Sequence, residues 1–483
     1  MIRLRLSFTV ALLLCYSQAF AAEDQCLSCH KEIASPQAQT FLKDVHYLAG
    51  LTCASCHGGD PNATEMEAAM SPESGFKGVP RRNQIPELCG KCHGSESSPL
   101  KDSFGLGDVL TEFEEGIHGR TLKESIDGPQ CVSCHGVHNI LKVQDKDSPV
   151  HPVRIVRTCA RCHSDTNYMK KFNPTVAVDQ LEKYLTSVHG KKNASRDVRA
   201  ATCVSCHSSH LIHPVRDPRS PVYPTNIPAT CSRCHSSAAY MKGYQIPINQ
   251  YEEYSKSVHG MALLKRSDLS APACNSCHGN HGAVPPGVAS VSMVCGVCHQ
   301  ANEDLFQKSI HKEAFEQAGL PSCMACHSNH LVVSPTDSMV GLDSKSNCGQ
   351  CHSPTDTAAP TIRKMREVLD HLAMGQKEAA ALLSHAEQLG MDVAEVKYTL
   401  KDANQSLIQS KVKVHSFDPA AVEETAKPGL AVLGKAKQSA NEAIREYHFR
   451  RQGLGVSTSI ITVLAVLLYL KIRQMEKRQK EKK

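Results

Sequence analysis

Residues 186–210 read TSVHGKKNASRDVRAATCVSCHSSH. The decisive part is Cys203-Val204-Ser205-Cys206-His207. Two thiols and an adjacent imidazole at this spacing are the attachment signature of a c-type haem: both cysteines form thioethers and the histidine takes one axial position on the iron. Two further histidines flank the motif. His189 lies upstream in a Ser-Val-His-Gly context, and His210 lies three residues past His207.

The motif occurs eleven times. The cysteine pairs are Cys26 and Cys29, Cys53 and Cys56, Cys89 and Cys92, Cys131 and Cys134, Cys159 and Cys162, Cys203 and Cys206, Cys231 and Cys234, Cys274 and Cys277, Cys295 and Cys298, Cys323 and Cys326, and Cys348 and Cys351. The histidines that follow them are His30, His57, His93, His135, His163, His207, His235, His278, His299, His327 and His352. These motifs use 22 of the 23 cysteines, and the remaining one is Cys15. A redox dithiol or half a zinc site also uses Cys-x-x-Cys, but neither needs a histidine directly after the second cysteine eleven times. The expectation is eleven covalent c-type haems.

The flanking histidines repeat as well. Upstream ones are His118, His189, His259 and His311, in the contexts EGIHG, TSVHG, KSVHG and KSIHK, with His46 in a shorter version. Downstream ones are His138, His210, His281 and His330, each three past a motif histidine. His151 and His213 add a matched pair in VHPVR and IHPVR. The repeating unit is His…CxxCHxxH…CxxCH, a two-haem module. Low-spin haems take two strong axial ligands, and these eleven spare histidines equal the number of irons. The spacing does not assign partners. A surface histidine, or one bonded to a propionate, is the plainer role for any of them. His371, His385, His415 and His448 are further candidates, and His415 sits at a break between helices; any that ligates displaces one of the eleven. Met169 and Met241 follow motifs in matched contexts.

There is no Trp, and aromatics are 5% of 483 residues. About 30 residues per motif between 26 and 352 are too few to wrap each porphyrin separately, so the cofactor itself is expected to fill the core. The formal charge of +6 omits the propionates and carries no argument for an anionic partner or a nucleic acid.

The N-terminus reads as a secretory signal over 1–21: Arg3 and Arg5, an apolar run from Phe8 to Tyr16, then Ala19-Phe20-Ala21. Gln452 to Leu470 is an uncharged stretch just long enough to span a bilayer. The basic cluster Lys471, Arg473, Lys477, Arg478, Lys480, Lys482 and Lys483 follows it. The positive-inside rule assigns that tail to the cytoplasm and the rest to the periplasm. Between motifs and anchor, residues 361–389, 392–413 and 419–449 show helical periodicity. Gly375, Gly390 and residues 416–419 read as stops or turns, and Pro428-Gly429 as a break in the last helix.

The chain resembles the multihaem c-type cytochrome superfamily, which includes quinol cytochromes of the NapC/NrfH type, cytochrome c nitrite reductases and hydroxylamine oxidoreductases. The resemblance covers residues 26–352 and, more loosely, the helical tail. The Cys-x-x-Cys-Lys motif of the nitrite reductases is absent from this sequence. The expected fold is mostly α and irregular, with a haem-filled core, repeated two-haem modules, a C-terminal helical hairpin or bundle and one transmembrane helix. The expected division is a signal peptide (1–21), a three-haem region (22–117), four two-haem modules (118–353), a helical region (354–451), a transmembrane helix (452–470) and a basic cytoplasmic tail (471–483). The resemblance implies electron transfer between a membrane quinol-oxidising or b-type cytochrome subunit and periplasmic cytochromes or a terminal reductase. The alternative is an oxidoreductase acting on a small nitrogen or sulfur compound at one haem with an open distal position.

Overall fold

The computed structural model describes residues 24–94, 108–284 and 291–481. The expected signal segment lies outside them. Every regular element among the described residues is helical, most are short, and irregular chain joins them. The chain divides into two compact units, Met1–Tyr251 with Ala262–Pro285, and Glu252–Met261 with Pro286–Lys483.

Seven of the eleven motifs take one of two local forms. In the first, the motif is a single isolated turn: Cys53–His57, Cys131–His135, Cys203–His207 and Cys274–His278. A helix start leaves backbone N–H groups without partners, and here a serine inside the motif accepts one of them. Ser55 Oγ takes the N–H of Thr52 at 3.0 Å, and Ser205 Oγ takes that of Thr202 at 3.0 Å. Directly after the histidine the backbone turns through positive φ, at Gly58 (69°), Gly136 (83°), Ser208 (69°) and Gly279 (83°). In the second form the motif ends a nine-residue helix: Ile85–His93, Ile155–His163 and Ile227–His235.

The Ser-Val-His-Gly stretch forms a corner between two helices. Gln180–Thr186 ends, Ser187 is extended, and Val188–Ala194 begins. The fully buried Ser187 hydroxyl accepts the N–H of Gly190 at 2.8 Å and donates to the Tyr184 carbonyl at 2.6 Å. A Cβ on residue 190 would sit 1.9 Å from that carbonyl oxygen, so only glycine fits. Ser257, Gly260 and Tyr254 repeat the arrangement, with the same 1.9 Å approach. A Cβ on residue 119 would likewise lie 2.2 Å from Phe113 O. At His46, Asp44 does the serine's work, accepting the N–H of His46 at 2.9 Å.

Each corner is latched to a later segment. The residue before the histidine donates its N–H to a carbonyl two residues past a downstream histidine. The latches are Val45 to Ile140 (2.9 Å), Ile117 to Ile212 (2.7 Å), Val188 to Ala283 (3.0 Å) and Val258 to Val332 (2.8 Å). The repeats therefore interlock across 74 to 95 residues of chain.

In the second unit, helices Ala359–Gln388, Ala394–Lys413 and Pro419–Lys480 pack around Met365, Leu369, Leu372, Leu383, Leu407, Val422 and Leu433. Two expectations are corrected here. Gly375 does not stop the first of these helices; it lies inside it, where a Cβ would approach Leu433 Cδ1 to 3.1 Å. Pro428-Gly429 does not break the last helix, which runs unbroken from 419 to 480. Gly429 is buried where a Cβ would lie 2.5 Å from Ser406 Cβ, so the close approach of the second helix holds the third in line. The apolar stretch 452–470 belongs to that same helix. It is the one helix among the described residues long and apolar enough to cross a membrane, and its apolar side chains are exposed.

Candidate haem sites

A haem iron bound by two imidazoles holds their rings on opposite sides of the porphyrin. With a metal–nitrogen bond of about 2.0–2.1 Å, the two ring centres stand about 6.3 Å apart. Nine motif histidines have a second imidazole at this spacing. The ring centres are 6.0 Å apart for His93 and His46, for His57 and His138, and for His327 and His415. They are 6.1 Å apart for His163 and His118, His235 and His189, His207 and His281, and His352 and His311. The His135–His210 pair is at 6.2 Å and the His299–His259 pair at 6.3 Å.

The pairing has a rule. An upstream histidine faces the last motif of its own module, as His118 faces His163. A downstream histidine instead reaches back to the preceding module: His138 faces His57, His210 faces His135, and His281 faces His207. The latches are the cause. The latches at Val45, Ile117 and Val188 each clamp one upstream and one downstream histidine side by side, where they face two successive motifs. His46 and His93 obey the same rule.

Most of these rings are partly buried, and a ligating imidazole must be neutral. Burial pulls His118 down to about 4. It also lowers His163, His189, His207 and His235, the last three with help from a neighbouring histidine. His46 is the exception: its hydrogen bond to the Asp44 carboxylate, 2.8 Å from Nδ1, raises it. Such Nδ1 contacts leave Nε2 for a metal and orient the ring. Gly78 O lies 2.9 Å from His57 Nδ1, Asp356 lies 3.0 Å from His352 Nδ1, and Val412 O lies 2.9 Å from His415 Nδ1.

His151 and His213 face no motif histidine among the described residues. Both serve the turns that lead into the second-form helices. His151 O accepts the N–H groups of Arg154 and Ile155, and the buried His213 lies 3.8 Å from the Asp217 carboxylate. His330 lies 4.0 Å from Glu253, and His278 Nδ1 lies 3.2 Å from Val284 O. In the tail, His415 occupies the turn at Val414–Ser416, with Asn302 Nδ2 3.2 Å away. The adjacent Phe417 covers His311 at 3.8 Å between ring centres. The only sequence signal for His415 was its position at a helix break. His371 lines a cavity of about 830 Å³ with Leu342, Arg363, Arg366 and Asp370, beside the last motif.

The cysteines supply the spatial order. The first thiols of neighbouring motifs lie side by side: Cys89 with Cys131, Cys159 with Cys203, Cys231 with Cys274, and Cys295 with Cys323. Cys53 neighbours Cys26, Cys56 neighbours Cys89, Cys134 neighbours Cys162, Cys206 neighbours Cys231, and Cys326 neighbours Cys348. Within each unit, successive motifs are therefore neighbours in chain order. Burial pushes the Cys53 and Cys206 thiols up to about 11, which disfavours a reactive thiolate. The donor set fits haem. Paired thiols sit beside paired imidazoles, and Arg120 carries two buried guanidinium nitrogens without a partner, suited to a propionate.

Comparison with known proteins agrees with this chemistry. Residues 13–58 match the family described as cytochrome c554 and c-prime. The chain is 22% identical over 309 residues to the high-molecular-weight cytochrome c of Nitratidesulfovibrio vulgaris (strain Hildenborough), a match covering 60% of this chain and 52% of that protein. The chain thus spans about half the length of that relative. These matches support a c-type cytochrome domain and a distant relation to the multihaem cytochromes c.

Proposed function

We propose that this protein is a membrane-anchored electron-transfer cytochrome carrying eleven covalent c-type haems, with its body in the periplasm. The observation that carries the reading is the set of nine imidazole pairs spaced 6.0–6.3 Å apart. Each pair provides two strong axial donors, the ligation of a haem that passes electrons and binds nothing else. Bound haem supplies the one-electron couple. The chain's part is to tether each haem by two thioethers, hold both imidazoles oriented, and line up successive sites in chain order within each unit. Arg120 would neutralise a propionate.

The tail sets how electrons arrive. His415 and Phe417, which face His327 and His311, lie just before Pro419. The apolar stretch begins at Gln452, about 50 Å further along one unbroken helix at 1.5 Å per residue. Tunnelling falls exponentially with distance, so a quinol confined to the bilayer does not reach these sites directly. The reading therefore includes a membrane quinol-oxidising or b-type cytochrome partner that extends out of the bilayer, and periplasmic cytochromes or a terminal reductase as acceptors.

The test is haem stoichiometry and spin state on the purified full-length protein. The expected result is eleven haems per chain by iron content and pyridine haemochrome, at least nine of them low-spin. A count well below eleven, or a majority of high-spin haem, overturns the proposal.

A further inference from the structure

All 26 histidines of the chain lie among the described residues. Nine motif histidines face a second imidazole, and His278 has contacts of its own. His30 differs: among the described residues no imidazole faces it. The pairing rule assigns it none of the described histidines.

This first motif is nevertheless firmly built. Its helix Gln25–Glu32 is capped by the buried Asp24, whose Oδ1 accepts the N–H of Leu27 at 2.7 Å. The other oxygen of Asp24 accepts the N–H of Cys53 at 2.9 Å, so one carboxylate ties the first motif to the second. The N–H of Gln25 donates to Pro61 O at 2.8 Å, and Leu27 is 2% exposed. The Cys26 and Cys53 thiols are neighbours. The site therefore has two thiols, one imidazole and a direct neighbour in the row, but no second imidazole.

We infer that the haem held by Cys26, Cys29 and His30 keeps an exchangeable axial position, taking water or a small exogenous donor the size of cyanide or nitric oxide. This inference rests on the ligation proposed above. It places a small-molecule binding site at the N-terminal end of the row, next to the second motif, to which Asp24 ties it. Bis-imidazole sites bind such donors poorly, because the protein's own ligand must first leave.

The experiment is spin-quantified EPR on the oxidised full-length holoprotein in detergent, titrated with cyanide and referred to total haem. The expected result is a high-spin ferric signal of one haem in eleven that cyanide converts to low-spin. Cys26→Ala/Cys29→Ala should remove one haem together with that signal. Should this variant fail to mature, His30→Met keeps both thioethers and should alter that signal and no other. Eleven haems that are all low-spin overturn this inference and leave the proposed ligation standing. A high-spin signal that survives loss of the first haem also overturns it, and a majority of high-spin haem overturns both readings.

Discussion

Gly190→Ala tests how the corner positions a histidine. The new Cβ would lie 1.9 Å from Tyr184 O, 2.7 Å from Tyr184 C and 3.0 Å from Leu185 Cα, all backbone atoms that cannot swing aside. Ordinary contact begins at 3.4 Å, so the two helices must separate by about 1.5 Å. His189 is the residue before Gly190 and moves with it. Its ring centre stands 6.1 Å from that of His235, and a metal–nitrogen bond of about 2.0–2.1 Å does not stretch by such an amount. Overpacking costs about 1–3 kcal/mol. The expected outcome is one additional high-spin haem equivalent in quantified EPR, with reduced thermal stability. Gly434→Ala is the control. It lies in the helix Pro419–Lys480, where an added Cβ would have nothing within 4 Å, so alanine should be neutral or stabilise by about 0.5–1 kcal/mol. If Gly190→Ala keeps the wild-type spin count and matches Gly434→Ala in stability, the corner does not position His189.

Other perturbations probe the same design. Ser187→Ala removes the cap on Gly190 and should cost about 0.5–2 kcal/mol in thermal or denaturant unfolding. Ser187→Asp should recover part of this, since Asp44 fills the equivalent corner. His415→Ala should add one high-spin haem equivalent, whereas His151→Ala and His213→Ala should add none; a new high-spin signal in His213→Ala would refute the pairing described here.

The reading of residues as chemistry was local and therefore legible early. The Cys-x-x-Cys-His spacing marks attachment points because thioethers and the proximal ligand come from five consecutive residues. The apolar stretch 452–470 and the periodicity of 361–413 were equally local, and the helices lie within a few residues of expectation. Gly375 and Pro428-Gly429 misled because the packing of Gly375 against Leu433 and of Gly429 against Ser406 overrode local preference. Partner choice was a different problem. His57 and His138 are far apart in sequence, and spacing alone offered His138 no reason to face a motif in the preceding repeat. The tertiary structure decided it: the Val45–Ile140 hydrogen bond and its three counterparts clamp distant segments together. The same through-space geometry set His415 opposite His327 and left His151 and His213 in turns. Covalent attachment is written in adjacent residues, whereas axial pairing is a relation between backbones that only the folded chain brings together.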